Sequence, residues 1–129
     1  RENWYFTGDL GYLDGEGNLH LVGRVDDMII SGGENIYPKE VEDVLQAHPQ
    51  VKEAAVVGLP DKRWGEIVAA FIVPYSNQLN QQTLERFCLE SPHLARYKRP
   101  RKFFFVQQIP KSPAGKILYS LLKKRADSF

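Results

Sequence analysis

The sequence is poor in the residues that build covalent or metal-bound frameworks. It contains one cysteine, Cys88, which excludes an internal disulfide framework and fits a reducing cytoplasm. Its three histidines, His20, His48 and His93, stand far apart and lack partners at the spacing of metal ligands. We therefore predict no disulfide scaffold and no metal site in this chain.

Long apolar runs and an excess of one charge sign are also absent. No stretch of about eighteen apolar residues occurs, and the first residues do not form a hydrophobic signal region. Seventeen basic residues stand against sixteen acidic ones, and the net charge of +1 gives no overall electrostatic case for binding nucleic acid or a membrane surface. The length of 129 residues fits one domain with its own hydrophobic core.

Periodicity and turn signals predict a small α+β domain. Pro38 opens an amphipathic helix that Pro49 ends, and Thr83 is expected to cap a second helix. β-branched apolar runs between these helices predict buried central strands. The predicted elements are two short strands within residues 4–25 around a turn at 14–18, helices at 38–48, 83–90 and 117–125, and strands at 51–59, 67–73 and 103–106. We expect a small sheet of short strands flanked by helices and preceded by a β-hairpin.

Residues 23–38 combine the end of an apolar strand, a charged joint and a pair of glycines. Gly32 and Gly33 have no Cβ, so the backbone can take positive φ there or let another molecule approach closely. The charged joint ahead of them, Asp26 and Asp27, predicts a hinge that leads into a turn. This stretch is therefore a candidate functional segment.

Three separate motifs follow one another along the chain: YFTGD at residues 5–9, GRVDDMIISGGENIYP at residues 23–38 and PKSPAGK at residues 110–116. Together they resemble the acyl-CoA synthetases of the adenylate-forming superfamily, and most of all aryl-CoA ligases of the 4-chlorobenzoate–CoA ligase type. The resemblance covers essentially the whole chain. It implies that residues 1–25 end a large N-terminal domain and that residues 26–129 form the C-terminal lid domain.

The resemblance also implies the reaction of an acid–thiol ligase. Such enzymes join a carboxylic acid to CoA through an acyl adenylate and release AMP and pyrophosphate from ATP. The chain begins without a methionine, so we expect it to be the C-terminal part of a longer protein. We also expect it to be inactive alone, because it lacks the phosphate-binding loop and the acyl pocket that the resemblance implies for the full enzyme. Its expected partner is its own N-terminal domain, which is also where Mg²⁺ would be bound together with ATP.

Lys116 lies in a glycine-containing loop ahead of the last helix, where it can hold one ammonium forward. A phosphate-binding Walker A loop is excluded, because that motif needs Gly in place of Pro110 and Ser or Thr in place of Ile117. By composition alone, a solvated surface lysine is the better interpretation. The resemblance reverses this preference, because it implies that Lys116 contacts the acyl carboxylate and the α-phosphate during adenylation. It further implies that an acetyltransferase acting on Lys116 would delete this charge.

Asp9 and Arg24 are candidate nucleotide-binding residues. From the residues alone, Asp9 is a turn-forming acid, and Arg24 could equally pair with Asp26 or Asp27. The resemblance implies that Asp9 accepts hydrogen bonds from the ribose hydroxyls of ATP and AMP and that Arg24 contacts the same nucleotide. It also implies that Asp26 is the hinge of the lid, whereas from the residues alone Asp26 could equally be an ordinary exposed carboxylate.

An aromatic and basic set forms a second candidate site. Trp64 lies between the central strands, and Tyr97, Arg99 and Arg101 lie in a basic run. The aromatic rings could stack on an adenine and the arginines could bind phosphates, or Trp64 and Tyr97 could be packing residues. The resemblance implies that these four residues bind the CoA nucleotide and that the glycine pair at 32–33 borders the pantetheine tunnel.

Two alternative functions remain open at this point. Another adenylate-forming enzyme, such as a fatty acyl-AMP ligase or a peptide-synthetase adenylation domain, would share Asp9 and Lys116. The sequence IISGGEN at residues 29–35 resembles the CoA-ligase pattern more than the peptide-synthetase pattern. The other alternative is a non-catalytic interaction module whose basic run at residues 98–102 binds an acidic partner.

Overall fold

The structure is a computed structural model that describes the backbone of residues 3–6, 9–13 and 19–24 and both backbone and side chains of residues 27–126. The first three strands, β1 (Asn3–Phe6), β2 (Asp9–Leu13) and β3 (Leu19–Arg24), form an antiparallel sheet in that order. The predicted hairpin is therefore present, but the prediction of two strands was wrong. The segment expected to be one strand ahead of the turn is divided into β1 and β2, and Gly8, a residue type that interrupts strands, lies between them in the sequence.

The remaining strands form a second sheet. Its order is β5-β4-β7-β6, and β8 pairs in parallel with β7 beside β4. Helices flank this sheet, so the predicted α+β class is confirmed. The elements are β4 (Ile29–Ser31), β5 (Glu34–Ile36), α1 (Pro38–Gln46), β6 (Val51–Asp61), β7 (Gly65–Pro74), α2 (Gln81–Glu90), a 3-10 helix (Arg96–Lys98), β8 (Lys102–Phe105) and α3 (Tyr119–Ala126).

Most predicted elements are observed with small shifts at their ends, and three differences have physical reasons. The cap of α2 is Asn80 rather than Thr83, because the Asn80 side chain accepts a hydrogen bond from the Thr83 backbone N–H at 2.9 Å. The last helix begins at Tyr119 because the Leu118 N–H bonds back to the Pro110 carbonyl at 3.0 Å. The hairpin of β4 and β5 was not predicted, since strands of three residues give too little periodicity.

Two hydrophobic clusters cover opposite faces of the second sheet. Alternating residues of β6 and β7 point to each face, as the period of a strand requires. Val56 and Ile72 belong to the cluster that packs under α1 and α2, whereas Val57 and Phe71 pack with Leu122 of α3. The C-terminal segment that contains Lys116 is thereby held against the face opposite the first two helices.

None of the helices within residues 27–126 has the length and apolarity that a bilayer crossing requires. The predicted division into domains at residue 25/26 stays a prediction. The strands that precede and follow this point nevertheless belong to separate sheets.

Candidate functional site

The predicted glycine turn joins β4 to β5. Gly32 and Gly33 have φ angles of 58° and 85°, in the region that side chains with a Cβ rarely adopt. The Gly32 N–H donates to the Trp64 carbonyl at 2.8 Å, and a Cβ on Gly32 would lie 3.0 Å from Cε3 of Trp64. Gly32 is therefore required both by the turn and by the close approach of Trp64.

The parallel pairing of β8 with β7 brings Arg101 to the same place. The Arg101 N–H donates to the Val68 carbonyl at 2.8 Å, which fixes the segment beside the start of β7. The guanidinium carbon of Arg101 lies 4.6 Å from the centroid of the Trp64 ring, and that of Arg63 lies 5.2 Å from it. These distances are those of cation–π contacts. We call Gly32, Arg63, Trp64 and Arg101 the tryptophan cluster.

A tight turn at residues 61–65 presents the tryptophan. The Asp61 carboxylate accepts hydrogen bonds from the backbone N–H groups of Arg63 at 3.0 Å and Trp64 at 2.9 Å. Gly65 follows with a φ of 83°, which reverses the chain into β7. Trp64 was predicted from the sequence, whereas Asp61 and Arg63 were missed, because their only signals were their closeness to Trp64 and the turn-forming nature of Asp.

Glu66 supports the glycine turn from β7. Strands β4 and β7 share the single register pair of Ser31 and Gly65. Next to this pair, the Glu66 carboxylate accepts a hydrogen bond from the Ile30 N–H at 2.9 Å, so a side chain continues the link between the strands. The other carboxylate oxygen of Glu66 lies close to Gly58, so that a Cβ on Gly58 would be 2.6 Å from this oxygen. The sequence contained no signal for this role.

Tyr97 and Arg99 lie on the segment ahead of Arg101. They are not among the described residues that contact the Trp64 ring. Tyr97 is 47% exposed, and the Lys98 ammonium lies 5.7 Å from its ring centroid. Lys98 in turn pairs with Glu40 of α1 at 2.9 Å. Burial raises the pKa of the Cys88 thiol to about 11, and the charge of Arg99 opposes this shift. The structure thus joins Arg101, but not Tyr97 or Arg99, to the tryptophan cluster.

Lys116 lies at the tip of a small hairpin, which we call the lysine hairpin and which runs from Pro110 to Leu118. An antiparallel bridge between Lys111 and Ile117 pairs its arms. The Ser112 N–H bonds to the Lys116 carbonyl at 2.8 Å, and the Lys116 N–H bonds to the Ser112 hydroxyl at 3.2 Å. Gly115, with a φ of 85°, completes the turn. Lys116 is exposed, while its backbone N–H and carbonyl are both hydrogen-bonded to Ser112.

The remaining predicted residues belong to the first sheet and the joint. Asp9 and Arg24 are Cα partners in the register of β2 and β3, so they are neighbours across two strands. Their side chains, and all of Asp26, lie outside the described residues. Within residues 27–126, no group of three or more His, Cys, Asp or Glu side chains could hold a metal ion.

Comparisons with known proteins identify the family of the chain and its fold. The sequence profile of the AMP-binding enzyme C-terminal domain family matches residues 40–116. A long-chain-fatty-acid–CoA ligase of Mycobacterium tuberculosis is 48% identical over 95% of this chain, and the 4-chlorobenzoate–CoA ligase of an Arthrobacter species is 48% identical over 95%. The chain spans only 24% and 23% of the length of these two relatives.

Solved structures show the same fold. The chain matches ATP-bound MatB from Rhodopseudomonas palustris with a TM-score of 0.86 and 36% identity, over 93% of this chain and 24% of that one. It matches the o-succinylbenzoate CoA synthetase of Bacillus subtilis in complex with its acyl-adenylate intermediate with a TM-score of 0.83 and 49% identity, over 91% and 24%. A variant of the same enzyme bound with the product analogue OSB-NCoA gives a TM-score of 0.73 and 49% identity, over 92% and 24%.

The resemblance indicated by the three motifs is thus confirmed by a profile match over residues 40–116, by relatives that are CoA ligases and by the fold. The chain belongs to the AMP-binding enzyme C-terminal domain family and corresponds to the C-terminal domain of acyl-CoA ligases.

Proposed function

We propose that this chain is the lid of an ATP-dependent acyl-CoA ligase, which converts a carboxylic acid, ATP and CoA into acyl-CoA, AMP and pyrophosphate. The observation that carries the proposal is the 48% identity, over 95% of the chain, to enzymes named as CoA ligases. This observation also favours a CoA ligase over the other adenylate-forming enzymes. The lid acts together with its own N-terminal domain, which would bind Mg²⁺ and contain the pocket for the acid.

Lys116 serves the first half-reaction. The acid attacks the α-phosphorus of ATP, the bond to pyrophosphate breaks, and an acyl adenylate forms. An exposed ammonium at the tip of a hydrogen-bonded hairpin suits this step, because it can enter a neighbouring active site and stabilise the negative charge that develops. ATP-bound MatB and the synthetase that holds an acyl adenylate support ATP as the nucleotide. Asp9 and Arg24, cross-strand neighbours in β2 and β3, would bind its ribose side.

The tryptophan cluster serves the second half-reaction, in which the CoA thiol attacks the acyl carbonyl and AMP leaves. Two guanidinium groups beside an indole provide phosphate ligands and a flat surface in one place, which fits the nucleotide end of CoA. Arg99 and the exposed Tyr97 on the adjoining segment would extend this surface. The turn at Gly32 and Gly33 leaves open space next to Gly33, where the pantetheine arm could pass.

The two steps would use different parts of one lid. The lysine hairpin follows β8 on the face of the sheet opposite α1 and α2, whereas the glycine turn lies at the edge formed by β4 and β5. A rotation about Asp26 would withdraw Lys116 and bring the glycine turn to the reacting centre. Water excluded in each closed state could not hydrolyse the adenylate.

The test uses the full-length enzyme that carries this domain. Pyrophosphate release from ATP and a panel of carboxylic acids is compared between wild type and Lys116→Ala, and thioester formation is measured separately from pre-made acyl adenylate and CoA. Loss of the first rate by roughly a hundredfold or more with retention of the second supports the proposal. Survival of both rates would show that Lys116 is a surface lysine. The exposed Lys52→Ala variant is the matched control and is expected to match wild type in both assays.

Two accessory proposals follow from the same lysine and from the single thiol. An acetyltransferase that modifies Lys116 would switch off adenylation by removing its charge, and mass spectrometry of Lys116 in growing cells tests this. The buried free thiol of Cys88 is compatible with a cytoplasmic enzyme. Fractionation of cells that express the full-length enzyme tests the compartment.

A further inference from the structure

Glu42 is a buried carboxylate that none of the proposed reaction steps uses. It lies on α1 with 8% of its surface exposed. Its Oε2 accepts hydrogen bonds from the Val56 N–H at 2.9 Å and from the Tyr119 hydroxyl at 2.8 Å. Because a buried carboxylate is costly unless hydrogen bonds satisfy it, these two donors are what allow Glu42 to be buried.

Tyr119 connects the two sides of the second sheet through this carboxylate. Its ring packs in the cluster on the α3 face, and its hydroxyl reaches Glu42 of α1 on the opposite face. In the described sheet, β6 is the terminal strand of the order β5-β4-β7-β6, so the Val56 N–H binds Glu42 at the open edge. Glu42 therefore joins α1, β6 and α3 at one point.

Tyr119 remains a donor in this arrangement. Burial raises the pKa of Tyr119, and the negative charge of Glu42, its hydrogen bond and the charge of Asp27 raise it further. The phenol thus keeps its proton, and the hydroxyl donates to Glu42 at all pH values at which the enzyme would work.

The lysine hairpin is fixed to β6 through both of its arms. On the incoming arm, Lys111 forms an ion pair with Glu53 of β6. Directly after the outgoing arm, Tyr119 is the first residue of α3, follows Lys116 by three residues and reaches Val56 of the same strand through Glu42. The second attachment includes the buried Glu42 carboxylate and a part-buried hydrogen bond, so it sets the direction in which the tip points more firmly than the ion pair, whose side chains are 38% and 29% exposed.

We propose that the Glu42–Tyr119 hydrogen bond is a positioning device that orients Lys116 for the adenylation half-reaction. The inference rests on the proposed function of Lys116, because Glu42 and Tyr119 act through that lysine. A charge that stabilises a transition state loses much of its effect when it is displaced by about 1 Å. The thioester-forming step, which takes place with Lys116 withdrawn, does not depend on this bond.

The test compares Tyr119→Phe and Glu42→Leu with wild type in the full-length enzyme. Tyr119→Phe removes only the donating hydroxyl, and Glu42→Leu removes the accepting oxygens but keeps a side chain of similar size. Each variant is expected to lower the maximal rate of pyrophosphate release by roughly tenfold to a hundredfold, with little change in the KM for ATP. Thioester formation from pre-made acyl adenylate is expected to stay within about twofold of wild type. Tyr75→Phe, which removes an exposed hydroxyl at a position far from Tyr119 in the sequence, is the matched control.

The double variant separates positioning from a general loss of packing. If the two residues act through one bond, the double variant loses no more adenylation rate than the more affected single variant. Additive losses, or equal losses in both half-reactions, would overturn the proposal. If both single variants adenylate at the wild-type rate while Lys116→Ala is inactive, the positioning role of the Glu42–Tyr119 bond is refuted. The proposed function of Lys116 is supported in that case. Adenylation that survives Lys116→Ala would refute the proposed function itself.

Discussion

The guanidinium of Arg101 lies 4.6 Å from the centre of the Trp64 ring, so the loop ahead of β8 meets the turn between β6 and β7. Parallel pairing of β8 with β7 causes this meeting, because Lys102 is the register partner of Ala69 and Arg101 therefore lies beside the start of β7. Two segments far apart in sequence thus form one surface with two positive charges and one indole ring.

Arg101→Ala is expected to raise the KM for CoA and to leave ATP-dependent pyrophosphate release unchanged. Loss of a charge-assisted phosphate contact costs about 1.5–3 kcal/mol, so the KM should rise by roughly tenfold to a hundredfold. Arg101→Lys is expected to fall between wild type and Ala, because an ammonium keeps the charge but not the planar fork. Arg86→Ala, an exposed arginine on α2, is the control. An equal loss in both half-reactions would argue against a CoA site here.

Gly32→Ala is expected to destabilise the domain more than Gly33→Ala. Both positions have positive φ, which costs about 1–2 kcal/mol for a residue with a Cβ. At Gly32 the new Cβ would also lie 3.0 Å from Trp64, whereas nothing lies within 4 Å of a Cβ at Gly33. Urea unfolding of the two variants, followed by circular dichroism, measures the difference. Equal midpoints would mean that the contact between Gly32 and Trp64 is not tight in solution.

The sequence predicts interactions between residues that are close along the chain better than interactions between residues that are far apart along it. The long strands β6 and β7 were predicted because apolar, β-branched runs specify them locally, and the glycine turn was predicted because positive φ has a local signature. The motif around Lys116 was found through its resemblance to a family. The bond between Glu42 and Tyr119 spans 77 positions and has no local pattern, since it depends on how α1 and α3 pack on the sheet. Glu66 was missed for the same reason, because its hydrogen bond with Ile30 spans 36 positions.

Glu42→Gln is expected to change how stability depends on pH. Burial raises the pKa of Glu42 above its ordinary value of 4.5, and the charge of Asp43 adds to this, while the hydrogen bonds from Val56 and Tyr119 and the charge of Lys39 oppose it. The folded state therefore binds a proton more tightly than the unfolded state. This contribution to the free energy of unfolding is complete below the ordinary pKa and is lost as the pH rises through the raised value.

The measurement is the urea midpoint of wild type and Glu42→Gln from pH 4 upward, a range that starts near the ordinary pKa of 4.5. The wild-type midpoint is expected to fall relative to that of the variant as the pH rises, because only the wild type has a carboxyl group that ionises while buried. Glu90→Gln, at an exposed position of α2 that does not contribute to the pKa of Glu42, is the control. Parallel pH profiles for wild type and Glu42→Gln would contradict a raised pKa.

Gly58→Ala is expected to act through Glu66. A Cβ on Gly58 would lie 2.6 Å from Oε2 of Glu66 and 3.1 Å from Cγ2 of Ile29. The Glu66 side chain is flexible and can move away, but it then gives up its hydrogen bond to the Ile30 N–H, which costs about 1 kcal/mol. The link between β4 and β7 beside the glycine turn would be weakened, and the KM for CoA should rise together with the loss of stability.

A double-mutant cycle isolates this effect. Glu66→Ala removes the side chain that the new Cβ would displace, so Gly58→Ala should cost less in that background than in wild type. The coupling energy is expected to be about 1 kcal/mol, from urea unfolding of the four proteins. The remaining cost in the Glu66→Ala background measures the contact with Ile29 alone. A cost of Gly58→Ala that is the same in both backgrounds would show that Glu66 does not occupy the space beside Gly58 and that another contact orders the edge between β4 and β7.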